Sequence, residues 1–282
     1  NRVLYAAPEV VGFGYPRPIE FTVANRQVTA TLPTVNHFGA VVVEPMPMAT
    51  RLADAADDPA YASNWDGATG GFGWSGGWTF SGRTGTANIF MGDSTSNGNG
   101  SGNLDADIST NRRAWGMFSG ASGLVDAQRN LPALAVGESL RVHVDLGWIA
   151  NGGVVGLGLR NASGQNVFEN YFRGGQPTWE VNDLAGQRAI TMGHNDEGFD
   201  IEFTLVTAST YSLRIVPIGA ESSATVVTGS LKTPAGGSTI TRLRLFSSAA
   251  GTGGQYDSFF NNVSVYGLPD PTQPPSDWWA IR

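Results

Sequence analysis

Apolar and polar residues alternate with a period of two along most of this chain, and long helical periodicity is almost absent. The clearest run is Leu140-Arg141-Val142-His143-Val144-Asp145-Leu146-Gly147-Trp148, whose even positions are all apolar. A period of two sends successive side chains to opposite faces of a strand, so one face is buried and the other wet. Phe199 to Leu205 repeats the pattern with odd positions apolar, and Tyr211-Ser212-Leu213-Arg214-Ile215 follows as its hairpin partner. Further strands are expected near 154–160, 166–173, 178–183, 187–192, 224–231, 239–246 and 256–266. One wet and one buried face per strand marks antiparallel sheets packed as a sandwich. The fold class is all-β.

Composition removes several functions. There is no cysteine, so there is no disulfide framework, thiolate metal site or cysteine nucleophile. A net charge of −7 opposes a grip on nucleic-acid phosphates. No stretch approaches the roughly 20 apolar residues that span a bilayer as a helix. Hydrophobic residues at 41% and charged residues at 15% describe a chain with a core. Glycine-, serine- and asparagine-rich loops suit a secreted or cell-surface β protein.

Three segments and a tail separate along the chain. Residues 1–48 hold about three strands, at Arg2–Tyr5, Ile19–Leu32 with a bend near Asn25, and Phe38–Glu44. So few residues bury too little surface to fold alone. They read as the C-terminal strands of an incomplete second β-sandwich, and the start at Asn1 suggests a piece of a longer protein. Residues 45–58 read as a linker, with 49–58 joining the two parts and allowing one helical turn. Residues 59–268, roughly 210 of them, are the size of one large sandwich. Residues 269–282 form a proline-rich tail.

The main body carries a run of motifs. Pro59-Ala60-Tyr61, Trp65, Gly67 and Gly70-Gly71-Phe72-Gly73-Trp74 open it, followed by Arg113-Ala114-Trp115-Gly116-Met117 and Ala127-Gln128-Arg129. Gly156-Leu157-Gly158-Leu159-Arg160-Asn161 and Tyr171-Phe172-Arg173-Gly174-Gly175 come next, then Ala250-Gly251, Asp257 and Phe260-Asn261-Asn262-Val263-Ser264-Val265. In that order, over residues 57–267, they resemble a bacterial jelly-roll module of the concanavalin-like, carbohydrate-binding type. Such modules stand at the C-terminal end of many large secreted proteins. Residues 1–48 resemble the closing strands of the β-sandwich that follows the catalytic barrel in dextranase-like or agarase-like glycoside hydrolases. Together the resemblances imply a non-catalytic polysaccharide-binding sandwich, the C-terminal part of a secreted glycan-degrading enzyme with its catalytic domain upstream. A jelly-roll glycoside hydrolase or polysaccharide lyase, and a structural or adhesive surface module, are the alternatives.

Catalysis needs particular groups. A retaining glycosidase needs two carboxylates about 5 Å apart. The best cluster is Asp196-Glu197-Gly198-Phe199-Asp200-Ile201-Glu202, where Asp200 and Glu202 share a strand face. Its order departs from the Glu-x-Asp-x-x-Glu pattern of β-glucanases of this shape, so a solvated face is the plainer reading. Lyase chemistry uses a Tyr or His base beside an Arg or Asn. Arg141, His143 and Asp145 share one face, and Tyr171 and Arg173 lie on a candidate neighbouring strand.

Binding sugar needs aromatic platforms with hydrogen-bonding neighbours. Trp65, Phe72, Trp74 and Trp78 stand among seven glycines between 67 and 82 and cannot all be buried in regular strands. Trp65, Trp74, Trp78, Tyr171, Arg173 and Trp179 are the candidate ligand-binding residues, while Trp115 and Trp148 read as core. Gly156 and Gly158 leave a shallow trough on one strand face, for aromatic side chains or a ligand. Calcium is the candidate cofactor, since loop oxygens can hold it. Asp105 and Asp107 in an oxygen-rich loop, and Asp257 before the last strand, are the candidate ligands. Asn161-Ala162-Ser163 and Asn262-Val263-Ser264 match the glycosylation sequon.

Overall fold

The computed structural model describes residues 2–6, 17–18, 21–24, 27–30, 40–44, 49–62, 64–97, 108–195 and 197–267. The chain divides into two compact units, 1–49 with 268–282, and 50–267.

Among the described residues the first unit holds five short strands: β1 (Arg2–Ala6), β2 (Arg17–Pro18), β3 (Phe21–Ala24), β4 (Gln27–Ala30) and β5 (Ala40–Glu44). β1 lies between β2 and β5, antiparallel to both, and β3 pairs with β4. Asn25, where the bend is expected, lies outside the described residues. The proline-rich tail lies outside the described residues.

The second unit is an antiparallel sandwich. Its strands are β6 (Ala49–Asp54), β7 (Thr79–Thr84), β8 (Ala87–Gly92), β9 (Ala114–Ser119), β10 (Leu124–Asn130), β11 (Ser139–Leu146), β12 (Val154–Arg160) and β13 (Asn166–Arg173). They continue with β14 (Thr178–Asp183), β15 (Gly186–Gly193), β16 (Phe199–Leu205), β17 (Thr210–Pro217), β18 (Thr225–Ser230), β19 (Arg242–Ser248) and β20 (Ser258–Gly267). One sheet has the order β15-β14-β13-β12-β19-β10-β7. The other runs β18-β17-β16-β11-β20-β9-β8, with β6 added on β20. Its interleaved order, with chain-distant strands side by side, is that of a jelly roll.

The alternation in the sequence explains which face is inside. Leu140, Val142, Val144 and Leu146 of β11 meet Phe199, Ile201 and Phe203 of β16 on the inner face. Val155, Leu157 and Leu159 of β12 and Leu243 and Leu245 of β19 line the facing sheet. Fully burying one such aliphatic or aromatic side chain contributes about 1.5–3 kcal/mol. One end of the core is aromatic: Tyr61, Trp65, Trp78 and Trp115 are fully buried, with Trp65 and Trp115 stacked 6.0 Å apart.

Two expectations are corrected here. Residues 49–54, read as linker, form β6, because Leu52 and Asp54 alternate into the interior. Trp148, read as core, is 60% exposed. β11 ends at Leu146, and Gly147 N–H donates to the Asp257 carbonyl and Trp148 N–H to the Gln255 carbonyl. The parity of the strand no longer governs a residue in that turn.

Candidate functional site

On the outer face of the β11–β20 region lies a cleft of about 550 Å³, within the roughly 300–1,000 Å³ range of small-ligand clefts. Its floor is Arg141 and His143 from β11 with Asn262 and Ser264 from β20, and its walls are residues 53–55, 57–59 and Gly71-Phe72. Alternation places Arg141 and His143 outward, because their neighbours Leu140, Val142 and Val144 are in the core. The register between β11 and β20 shifts between Arg141 and His143. Asn262, at φ +50°, occupies that bulge and brings its amide beside the histidine.

The floor is already organised. Arg141 Nε donates to Asp200 at 2.6 Å and its Nη2 bonds the second oxygen of the same carboxylate. Glu202 accepts from the Tyr266 hydroxyl. The Asn262 amide donates to His143 Nδ1 at 3.2 Å, an orientation that leaves the ring proton on Nε2, 3.9 Å from Asp200. Burial lowers the His143 pKa; Asp200 opposes that shift and Arg141 adds to it.

The wall carries the aromatic group. Phe72 is 54% exposed and is held by a two-way backbone bridge to Ala53, with N···O distances of 2.9 and 3.2 Å. Gly71 has φ +73°, and a Cβ there would fall 2.2 Å from the Ala53 carbonyl, so only glycine fits. Gly71 N–H donates to Asp58 at 2.9 Å. That bond and one from the Ala60 N–H hold the Asp58 carboxyl below its ordinary range.

A buried guanidinium fastens the glycine-rich loop from beneath. Arg129, 1% exposed, pairs with buried Asp54 and donates to the Gly70 carbonyl at 2.6 Å and the Gly76 carbonyl at 3.1 Å. The Tyr61 hydroxyl donates to Asp54 at 2.5 Å. The guanidinium lies 4.6 Å from the Trp74 ring, and burial pulls its pKa down to about 10. Two points of the loop that carries Phe72 therefore hang on one ion pair.

The expected site residues are distributed as follows. His143, Asp200 and Glu202 stand on one outer face, as their parity requires. Tyr171 does not join them: β13 belongs to the other sheet, and Tyr171 pairs across to Gly156 on that sheet's outer face. Trp65, Trp78 and Trp179 are 0% exposed, so none can stack on a sugar. They pack edge-on or stacked against other aromatics, Trp179 against Phe199 at 5.0 Å. Trp74 is half-buried, with its Nε1 donating to the Ala53 carbonyl. Arg173 lies 5.5 Å from the Tyr171 ring, and burial pushes the Tyr171 phenol up to about 12. Of the sequons, Asn161 is buried and its amide is engaged by Gln165 and Gly237. Phe72, weighed only as one of the aromatics of the glycine-rich loop, and Asn262, Asp57 and Asp58 are not among the six candidate ligand-binding residues. The Gly71-Phe72-Gly73 run was the signal for the first, since an aromatic between two glycines has little local cover.

Asp105 and Asp107 lie outside the described residues. Among the described residues no group of three or more His, Cys, Asp or Glu could hold a metal ion. Burial raises the Asp257 pKa from 3.8 to about 6. A carboxyl raised in this way contributes most to stability below about 3.8, and that contribution is lost as pH rises through about 6. Asp257→Asn is therefore expected to raise the thermal midpoint at pH 7 and leave it unchanged near pH 3.5, read by calorimetric scans. A calcium ligand would behave oppositely, the variant losing a calcium-dependent stabilisation that the parent shows.

No helix among the described residues is long and apolar enough to cross a membrane. No family model and no curated protein matches the chain. Among solved structures, the CBM2 module of the evolved Dit of Lactobacillus casei BL23 phage J-1 is 11% identical at TM-score 0.46, over 79% of this chain and 99% of that one. A glycosyl hydrolase family 16 protein from Mycobacterium smegmatis is 11% identical at TM-score 0.42, over 77% and 100%. A sialidase is 9% identical at TM-score 0.42 over 65% of this chain, which spans only 17% of that protein. At such identities and scores these likenesses assign no activity to the chain.

Proposed function

We propose that the chain binds polysaccharide in the cleft on the eight-stranded sheet, without cleaving it. The observation that carries this reading is the juxtaposition of an open, rigidly held Phe72 with Asp57, Asp58, Arg141, His143, Asn262 and Ser264 around one cleft. A sugar ring offers an apolar face to an aromatic ring and hydroxyls to flanking donors and acceptors, and this cleft has both. Binding is favoured over hydrolysis because Asp200 and Glu202, the carboxylate pair offered for catalysis, do not line the cleft and are already committed. Asp200 is held by both ends of the Arg141 fork, and Glu202 accepts from Tyr266. In the same reading the chain is an accessory part of a secreted glycan-degrading enzyme, a view supported by the separate N-terminal unit of short strands.

Affinity electrophoresis of the intact chain through gels containing α-glucan, agar or xylan tests the proposal. Retardation by at least one of them, without release of reducing sugar on incubation, is expected. Free migration through all of them, or sugar release by the purified chain, would refute it.

A further inference from the structure

The outer face of the seven-stranded sheet has a different character. Gly156 lets β13 approach β12 closely, since a Cβ there would fall 2.2 Å from the Asn170 carbonyl, and the rings of Tyr171 and Phe246 lie to either side of it, 6.3 Å apart. A groove of about 290 Å³ runs past them, bordered by Arg173 and Arg244. In a chain of net charge −7, this face gathers Arg160, Arg173, Arg242, Arg244 and Lys232 around Asp126, Glu169 and Glu180. Arg242 has only the amide oxygens of Asn130 and Gln128 as side-chain partners, and no carboxylate among the described residues. Arg160 and Arg242 are also directly opposite one another across β12 and β19. Like charges in that position are destabilising, and nothing on the inner face requires them.

The guanidiniums are positioned in advance. Arg244 lies 4.1 Å from the Phe246 ring and bonds Asp126 and Glu169, and Arg173 lies 5.5 Å from the Tyr171 ring with Glu180 at 3.4 Å. These contacts fix the planar forks, and the surplus of cations over the carboxylates they share is what the face offers to a carboxylate or sulfate. Arg242 and Arg244 are two residues apart on one strand, roughly 7 Å, and Arg173 lies two strands away, roughly 10 Å. That spacing suits a ligand carrying repeated anions. Stacking of nucleic-acid bases needs open ring faces, whereas Tyr171 and Phe246 are 6% and 4% exposed beneath their guanidiniums.

We propose that this face is a second binding site, independent of the cleft, for an acidic polysaccharide whose carboxylate or sulfate groups are taken by Arg173, Arg242 and Arg244. Calorimetry of the intact chain with oligogalacturonate tests it, alongside its methyl ester and single-stranded DNA. Arg242→Gln with Arg173→Gln should weaken oligogalacturonate binding at least about tenfold, since charge-assisted forks are the strong contacts. Raising the salt should weaken it too, and Phe72→Ala should leave it unchanged. The methyl ester should bind far more weakly than the acid in the parent protein, a comparison that holds even if the double variant folds poorly. Absence of oligogalacturonate binding would overturn the proposal. So would equal binding of the ester, equally tight binding of DNA, an unaffected folded double variant, or loss of binding in Phe72→Ala.

Discussion

Arg129→Met is expected to destabilise the sandwich by about 3–5 kcal/mol, because it leaves the Asp54 carboxylate buried without its cation. At roughly 2–4 °C per kcal/mol for a unit of this size, the thermal midpoint should fall by about 6–20 °C. Asp54 has 4% exposure and Arg129 1%, so water cannot replace the lost partner. Further contacts go with the guanidinium, to the Gly70 and Gly76 carbonyls, the Tyr61 hydroxyl and the Trp74 and Trp78 rings. The double variant Asp54→Asn, Arg129→Met should be less destabilised than the sum of the two singles, because the unpaired charge is gone. Denaturant unfolding of the four proteins measures this. Additive losses would mean that the pair is not coupled as its geometry indicates.

Phe72→Ala should have the reverse profile, with little loss of stability and a large loss of glycan affinity. The ring is half exposed, so removing it opens little cavity in the free protein. Covering its remaining surface with a sugar ring would contribute about 1–2 kcal/mol, or about tenfold in affinity. The backbone that carries it is fixed independently of the ring, by the Ala53 bridge and the Asp58 bond to Gly71 N–H. A variant with parent-like unfolding and about tenfold weaker glycan binding is the expected result. Undiminished binding would remove Phe72 from the site.

The sequence made the sheets more legible than the site. In β11, β16 and β17 the alternation named the inward residues correctly, because each strand has one wet face and one buried face. It missed β6, read as linker, whose inward Asp54 is neutralised by Arg129, 75 residues away and beyond any local pattern. Parity carried one turn too far made Trp148 a core residue. Among the aromatics of the glycine-rich loop, composition could not rank burial. Trp65 and Trp78 close the core while Phe72 turns out, and the left-handed Gly71 decides which. Tyr171 and His143 each sit on a polar strand face, but only the strand order shows that the faces belong to opposite sheets.

The most direct test of the central claim is hydrogen exchange on the intact chain, with and without the neutral glycan that retards it in electrophoresis. Binding in the cleft predicts slowed exchange at residues 53–59, 71–72, 141–143 and 262–264, with β12, β13 and β19 unchanged. Protection confined to the seven-stranded sheet, or absent from the cleft at saturating glycan, would contradict the account.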